Sequence, residues 1–173
     1  MFVSVSDILR NHLKSQGIPL TREATSQLSS EWRRKYGLGI LIDKAIEIYA
    51  DHGGDQKFSG LVIASLRNPA EADSVHQHGG TVLWLDADPK VRYERIRRNE
   101  SIRGSARAIV DNVSFEKFLA DEKAEMGELV LTDPTTLSLR GVKAKSDLFL
   151  SNGGDNLESL RLKLEQTLGL SAS

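Results

Sequence analysis

The sequence contains no cysteine, which excludes a disulfide scaffold, a cysteine-based zinc site and a cysteine nucleophile. No apolar run approaches the ~20 residues that a membrane-spanning helix needs, and the first residues lack the charged-then-apolar pattern of a signal peptide. The net charge is only −1, so charge gives no reason to expect a nucleic-acid or membrane partner. We therefore expect a cytoplasmic protein without either partner.

The composition that is present is typical of a globular α/β domain. Hydrophobic residues make up 39% of the 173 residues and charged residues 27%, and this length fits one domain with a hydrophobic core. Strands that are apolar throughout alternate with helical patterns, which indicates a parallel sheet covered by helices on both faces. The sequence thus predicts an open, doubly wound parallel sheet in three layers, with residues 1–173 in a single domain.

The order of elements follows from apolar periodicity and from helix start and stop signals. The segment from about 99 to 140 is polar and irregular at its start, and we interpret it as a helical excursion from the sheet. The predicted strands cover 2–6, 61–65, 81–85 and 146–152. The predicted helices cover 6–17, 19–37, 38–54, 69 to the HGG segment at 78–80, 89–99, 115–127 and 155–169. Ser6 and Thr21 are expected to cap the first two helices, the strongly apolar helix at 38–54 is expected to be well buried, and the segment that follows 127 and runs to 146 is expected to be irregular. In the last helix, one apolar face is formed by Leu157, Leu160, Leu164 and Leu168.

An arginine directly follows the second predicted strand. Arg67 lies between the apolar run 61–65 and a strong helix start made of Asn68, Pro69 and Glu71. Ligands of parallel α/β sheets bind at the carboxyl ends of the strands, and both arginine and a helix N-terminus favour phosphate. We therefore interpret Arg67 and Asn68 as ligands of an anion.

Other arginines precede Arg67 in the chain. Arg10 lies one turn into the helix after the first strand, where the same sheet edge is within reach. Arg33 and Arg34 lie late in the second predicted helix, and only packing would bring them to that edge. For these two residues a surface ion pair is at least as good an interpretation as a binding function.

A run of arginines follows the third predicted strand and leads into the polar excursion. A solvated helix surface with ion pairs to Glu94 and Glu100 is one interpretation, and a mobile phosphate clamp is another. A nucleic-acid patch is a third, although only Tyr93 is interleaved with the basic residues. The run comprises Arg92, Arg95, Arg97, Arg98, Arg103 and Arg107.

Metal ligands are not grouped in the sequence. His76 and His78 have no third ligand near them, so we predict no metal site there. Asp86 and Asp88 follow the third predicted strand, where one could hold a metal and the other caps a helix.

Several segments, in this order along nearly the whole chain, resemble motifs of the P-loop kinases that phosphorylate small molecules. The families concerned are the nucleoside-monophosphate kinases and dephospho-CoA kinase with its archaeal and bacterial relatives. The segments are SVSDILR (4–10), EWRRKYG (31–37), VIASLRNPAE (62–71), TVLWLDADPKVRYERIRRN (81–99), DNVSFEKFLADEKAEM (111–126) and SDLFLSNGGDNLESL (146–160).

The resemblance implies a function for individual residues. It implies transfer of the γ-phosphoryl group of ATP, with Mg²⁺, to a nucleotide or a dephospho-CoA-like acceptor. It also implies a lid over 99–140 that closes on the transferring phosphate. The implied acceptor ligands are Asp7, Arg10, Arg33, Arg67 and Asn68; the implied catalytic residues are Arg98, Arg103 and Arg107; the implied cofactor-binding residues are Ser151, Asn152 and Gly153.

The sequence departs from these kinases in three places. No G-x-x-x-x-G-K-[ST] motif occurs, so the loop that cradles the ATP phosphates is absent from the sequence. In the family that loop and its strand open the chain, and loss of this central strand would leave unpaired sheet edges. The family's Asp-Gly after the second strand is Ala64-Ser65 here, and an Arg-Gly-Arg of the lid is Arg103-Gly104-Ser105, where Arg107 could substitute.

Three functions therefore stay open. The first is a small-molecule kinase, completed by a further segment or by a partner. The second is a kinase-derived ligand-binding module without turnover, and the third, the weakest, is a nucleic-acid binder. The expected partners are a phosphorylated small molecule, and either a second copy of the chain or a segment that completes the sheet.

Overall fold

A computed structural model of the protein describes residues 1–98, 113–127 and 132–170. The chain divides into two compact units, of which the first comprises Met1–Val82 with Gly127–Lys145 and the second Leu83–Met126 with Ser146–Ser173. The chain thus passes from the first unit to the second, back to the first and again to the second, and the single domain expected from length stays a prediction.

The described residues form nine helices and four strands. In chain order they are β1 (Phe2–Ser4), α1 (Val5–Ser15), α2 (Arg22–Tyr36), α3 (Ile40–Asp51), α4 (Gly54–Lys57), β2 (Val62–Ala64), α5 (Pro69–Gln77), β3 (Leu83–Asp86), α6 (Pro89–Arg98), α7 (Phe115–Met126), α8 (Leu139–Ala144), β4 (Leu148–Ser151) and α9 (Leu157–Thr167).

The first unit is built on a parallel pair of short strands. β1 and β2 pair with Phe2 opposite Val62 and Ser4 opposite Ala64. Because side chains alternate along a strand, Phe2 and Val62 share one face, and they are 66% and 60% exposed. The opposite face carries Val3, which is buried.

The core of the first unit lies among the first three helices. Its α1 members are spaced by four residues, so they form one apolar stripe. Leu41 and Ile42 of α3 have no exposed surface, which confirms the prediction that this helix is well buried. The core comprises Val5, Leu9 and Leu13 of α1, Leu28 of α2, and Leu41 and Ile42 of α3.

The second unit contains a second parallel pair. β3 and β4 pair with Leu83 opposite Leu148 and Asp86 opposite Ser151. α6 packs against α7 through aromatic rings: the ring centroid of Tyr93 lies 5.2 Å from that of Phe115 and 5.5 Å from that of Phe118.

The sheet differs from the prediction. Mixed α/β class and parallel pairing are confirmed, but the described strands form two two-stranded sheets and no clear three-layer single sheet. Apolar strands specify burial and not partners, so the sequence pattern could not distinguish one four-stranded sheet from two pairs.

Local boundaries also differ. The strand predicted over 2–6 ends at Ser4, and α1 begins at Val5, because the side chain of Val5 is buried in the stripe with Leu9 and Leu13. Ser4 and not Ser6 is therefore the N-cap. The short helix α8 lies in a segment that was expected to be irregular.

The leucine stripe predicted along the last helix is only partly covered. Leu157 of α9 is 81% exposed and Leu168 is 42% exposed, while Leu160 and Leu164 are partly buried. None of the helices in the described parts of the chain combines the length and hydropathy that crossing a bilayer requires.

Replacement of Leu41 by alanine should lower the free energy of unfolding of the first unit by about 2–5 kcal/mol, because it opens a cavity at a fully buried site. Denaturant unfolding followed by Trp32 fluorescence measures this in a Trp84→Phe background, since Trp84 lies in the second unit. Glu47→Ala, on the exposed face of α3, is the control and should change the value by less than about 0.5 kcal/mol. Equal effects of the two substitutions would contradict the assignment of the core.

Candidate functional site

The carboxyl edge of the β1–β2 sheet is the candidate site. Because Ser4 lies opposite Ala64, the first turn of α1 and the segment that follows β2 leave the sheet at the same edge. Ligands of parallel α/β sheets bind at such edges. The structure therefore brings the start of α1 and the segment 65–67 together, as the sequence predicted.

Asp7 and Arg10 bind each other on the first turns of α1. Arg10 Nη1 donates to Asp7 Oδ1 at 2.6 Å, and the side chains are 35% and 59% exposed for Arg10 and Asp7. Exposed pairs of this kind contribute about 0–1 kcal/mol. A ligand anion could therefore take the place of Asp7 beside Arg10 at little cost.

Ser65 has an unusual backbone conformation directly after β2. Its φ is +71°, in the left-handed region that costs a non-glycine residue about 1–2 kcal/mol. The side chain is exposed. Such conformations persist where the surrounding structure imposes them, and they concentrate at functional sites.

The backbone of Arg67 is fixed on both sides of its Cα atom. Its N–H donates to Glu71 Oε2 at 2.7 Å, and its carbonyl accepts from the N–H of Ser138 at 2.8 Å. The residue is partly buried. The second bond connects the end of β2 to the segment that leads into α8.

The buried carboxylate of Glu71 is the anion at the N-terminus of α5. Oε2 accepts from the N–H of Arg67 and, at 3.1 Å, from the N–H of Asn68. Oε1 accepts from Arg33 Nη2 at 2.6 Å. The side chain of Glu71 has no exposed surface. The protein's own carboxylate thus uses the helix N-terminus that the sequence suggested for a phosphate.

Arg33 has protein partners for its terminal nitrogens. Besides Glu71, its Nη1 donates to Ser29 Oγ at 3.2 Å and to the carbonyl of Thr135 at 3.3 Å, and the side chain is 1% exposed. Arg33 therefore does form an ion pair, but the pair is buried, whereas the sequence interpretation placed it on the surface. The neighbouring Arg34 does form a surface pair, with Nη2 3.0 Å from Asp133 Oδ2.

Asn68 is also engaged inside the protein. Its Oδ1 accepts from the N–H of Ala70 at 2.9 Å, and its Nδ2 donates to the carbonyls of Pro134 and Thr136, each at 2.8 Å. Asn68 is fully buried and, with Glu71, forms the predicted capping box. Arg33 and Asn68 therefore hold the frame of the site, and their direct binding of a substrate stays a prediction.

Asp133 organises the segment that Asn68 and Arg33 contact. Hydrogen bonds from the hydroxyl and then the N–H of Thr135, together with the Arg34 guanidinium, lower the pKa of Asp133 to about 2. The carboxylate thus stays ionised at any physiological pH and keeps the turn at 133–136 closed.

A cavity of about 280 Å³ lies between α5 and α8 in the same unit. Its charged groups, Asp73 and Lys145, bind each other, with Lys145 Nζ 2.5 Å from Asp73 Oδ1. None of the predicted binding arginines lines this cavity, and we do not assign it to the site.

In the second unit, Arg92 connects three elements. Its Nε and Nη2 donate to the two carboxylate oxygens of Glu122 at 2.8 and 2.6 Å, and its Nη1 donates to Asp86 Oδ1 at 2.7 Å. The hydrogen bonding of Arg92 to the Glu122 carboxylate is the main cause of the raised pKa of Arg92. α6, α7 and the end of β3 are joined by these charges.

Among the described residues, no group of three or more acidic or histidine side chains could hold a metal.

The predicted cofactor-binding residues Ser151, Asn152 and Gly153 lie at and after the end of β4. The N–H of Asn152 donates to the carbonyl of Asp86 at 2.6 Å, and its own carbonyl accepts from Arg95 Nη1 at 2.7 Å. Arg95 also donates to the carbonyl of Gly154. The segment is therefore held by β3 and α6.

Of the predicted catalytic arginines, the structure describes Arg98. It is 62% exposed, with Nη2 3.4 Å from Glu94 Oε2 and Nη1 3.8 Å from Asp155 Oδ2. Arg103 and Arg107, and the part of the predicted lid at 99–112 and 128–131, lie outside the described residues.

Sequence reasoning missed three contributors to the site. The capping-box pattern identified Glu71 as a cap, but nothing local identified Arg33 as its partner. The left-handed conformation of Ser65 has a signal only in the resemblance, which has glycine at this position. The acidic turn at Asp133 lies in a segment without regular periodicity.

No protein-family model matches the chain. The chain is a distant homologue of the UPF0200 protein PH1008 of Pyrococcus horikoshii, with 31% identity over 130 residues that cover 72% of the chain. The match covers 64% of that protein, so the chain spans less than two thirds of the relative's length. The relative's name states no activity, and the comparison identifies no named kinase family.

Replacement of Arg33 by methionine should destabilise the first unit by about 3–5 kcal/mol, because it leaves the Glu71 carboxylate buried without its cation. Arg34→Met is the matched control and should cost less than about 1 kcal/mol, since the pair of Arg34 is exposed. Urea unfolding followed by Trp32 fluorescence in the Trp84→Phe background compares them. An Arg33→Met/Glu71→Met double variant should recover part of the loss. The same small cost for both single variants would contradict a structural role for the buried pair.

Thr135→Val should raise the pKa of Asp133 from about 2 toward its ordinary value of 3.8, because it removes the hydroxyl hydrogen bond, the largest cause of the shift. Carboxyl-carbon NMR titration measures both values. Because the folded-state pKa is lowered, the contribution of Asp133 to stability is complete above about pH 4 and is lost as the pH falls toward 2. An unchanged Asp133 titration in the variant would exclude Thr135 as the cause.

Proposed function

We propose that the chain binds the phosphate group of a nucleotide or dephospho-CoA-like acceptor at the carboxyl edge of the β1–β2 sheet. The observation that carries the proposal is the placement of Arg67 three residues after Ala64, the last residue of β2, at the edge from which α1, with Arg10, also leaves. Both residues match acceptor-binding positions in the resemblance to small-molecule kinases. The exposed Arg10–Asp7 pair can open, and the backbone of Arg67 is already fixed.

The buried residues Arg33, Asn68 and Glu71 support this proposal, because they leave only groups near solvent to bind a ligand. Glu71 neutralises the charge of Arg33 and accepts hydrogen bonds at the N-terminus of α5, so neither charge is left to draw an anion into the core. The binding groups are then confined to the partly exposed rim of the sheet. A bulky acceptor fits such a rim, since only its phosphate needs to meet the protein's charges.

We further propose that the activity of the complete system is phosphoryl transfer from ATP and Mg²⁺. The protein's contribution would be positioning and charge neutralisation, which is the main part of catalysis in phosphoryl transfer. Arg98, with Arg103 and Arg107, would neutralise the transferring group, and the segment at Ser151–Gly153 would contact the nucleotide. A further segment or a partner chain would have to supply the phosphate-binding loop.

A ligand-binding module without turnover is the second candidate. The specific observations in its favour are the absence of a G-x-x-x-x-G-K-[ST] motif from the sequence and Ala64 at the position of the family's aspartate. Transfer of labelled phosphate from ATP to bound acceptor separates the two candidates. Acceptor binding without any transfer, with ATP and Mg²⁺ present, favours the module.

A strand from a second copy or a partner segment is the proposed completion of the sheet. Each described sheet has two strands, which is marginal for an independent sheet, and Phe2 and Val62 leave an apolar face of the first one exposed. Light scattering of the full chain over a range of concentrations tests self-association.

Arg67→Ala should weaken acceptor binding by roughly 10–100-fold, because a hydrogen bond to a charged group contributes about 1.5–3 kcal/mol. Isothermal titration of the full chain with AMP, CMP, GMP, UMP and dephospho-CoA measures the affinities. Arg10→Ala should also weaken binding, whereas Arg140→Ala on the exposed side of α8 should not. Unchanged affinity of an Arg67→Ala variant whose unfolding temperature equals that of the parent protein would contradict the proposal.

A further inference from the structure

Ser65 combines a strained backbone with an unused hydroxyl. Among the described residues it is the single non-glycine with φ in the left-handed region. Within the same part of the chain its hydroxyl has no hydrogen-bond partner, and the side chain is exposed. A residue that accepts backbone strain without a compensating protein contact is a candidate for ligand binding.

The position of Ser65 points to the same ligand as Arg67. Ser65 directly follows Ala64, the last residue of β2, at the edge from which α1 leaves beside Ser4. Arg67 lies two residues later, with its backbone N–H and carbonyl both hydrogen-bonded. The two-residue separation keeps the backbone of Ser65 close to that of Arg67, whose position these hydrogen bonds fix.

We propose that the hydroxyl of Ser65 donates a hydrogen bond to the acceptor phosphate and that its left-handed backbone serves to place it there. The inference rests on the proposed function, and it adds a neutral donor to the arginines. Glycine would adopt the same conformation without strain. Serine at this position therefore lowers stability but supplies a hydroxyl that can donate a hydrogen bond. Neither the resemblance nor the match to the UPF0200 protein assigns a binding role to this residue.

Two substitutions separate the hydroxyl from the backbone. Ser65→Gly removes the hydroxyl and relieves the strain, whereas Ser65→Ala removes the hydroxyl and keeps the strain. Ser65→Gly should therefore unfold at a higher temperature than the parent protein, and Ser65→Ala should not. If the hydroxyl contacts phosphate, both variants lose affinity despite their different stabilities.

The test is isothermal titration of the full chain and both variants with AMP, dephospho-CoA and inorganic phosphate. We expect both variants to bind each probe about tenfold more weakly, because one hydrogen bond to a charged group is lost. The similar loss with inorganic phosphate would assign the contact to the phosphate and not to the rest of the acceptor.

The outcomes distinguish the two proposals. If the parent protein binds the probes and Ser65→Gly binds them equally well, the role of the hydroxyl is overturned and the proposed function survives. If the parent protein binds none of the acceptors tested nor inorganic phosphate, the proposed function fails and the inference about Ser65 fails with it.

Discussion

The buried ion pair between Arg33 and Glu71 is the interaction on which the first unit's sheet edge depends. It joins α2 to the N-terminus of α5, and its carboxylate also accepts from the N–H groups of Arg67 and Asn68. A buried charge without its partner costs several kcal/mol, so the pair forms as a whole or not at all. The position of Arg67 is therefore set by a carboxylate four residues later in the chain.

The Arg33–Glu71 pair lowers the positive charge that is available at the sheet edge. A sequence with several arginines and a helix start suggests a strongly cationic pocket, but Glu71 neutralises the deepest cation and the helix N-terminus together. The groups that stay near solvent are Arg10, with its exposed partner Asp7, and the strained Ser65. In the proposed function, recognition of an anion at this edge depends on exposed groups held by a neutral interior, which keeps the cost of desolvation low.

Local signals in the sequence predicted the local structure well. The Asn68–Glu71 capping box, the Thr21 cap of α2 and the buried stripe of α3 all follow from patterns within a few residues, and the structure has each of them. The Arg33–Glu71 pair joins residues 38 positions apart, and strand pairing joins residues farther apart still, so neither has a local signal. At the start of α1, local propensity and burial favour different structures. Val5 favours a strand by propensity, but its burial with Leu9 fixes it in a helix.

Several arginines of the second unit, like Arg33, bind groups within the protein. Arg92 is used by Glu122 and Asp86, and Arg95 by the carbonyls that follow β4, so the basic run that suggested a clamp is partly a set of internal supports. The exposed Arg98 has long contacts, 3.4 and 3.8 Å, and in the proposed function it is the residue of this run that meets the transferring phosphate. The proposed acceptor ligands Arg10, Ser65 and Arg67 all belong to the first unit, so acceptor binding, as proposed, does not require residues of the second unit.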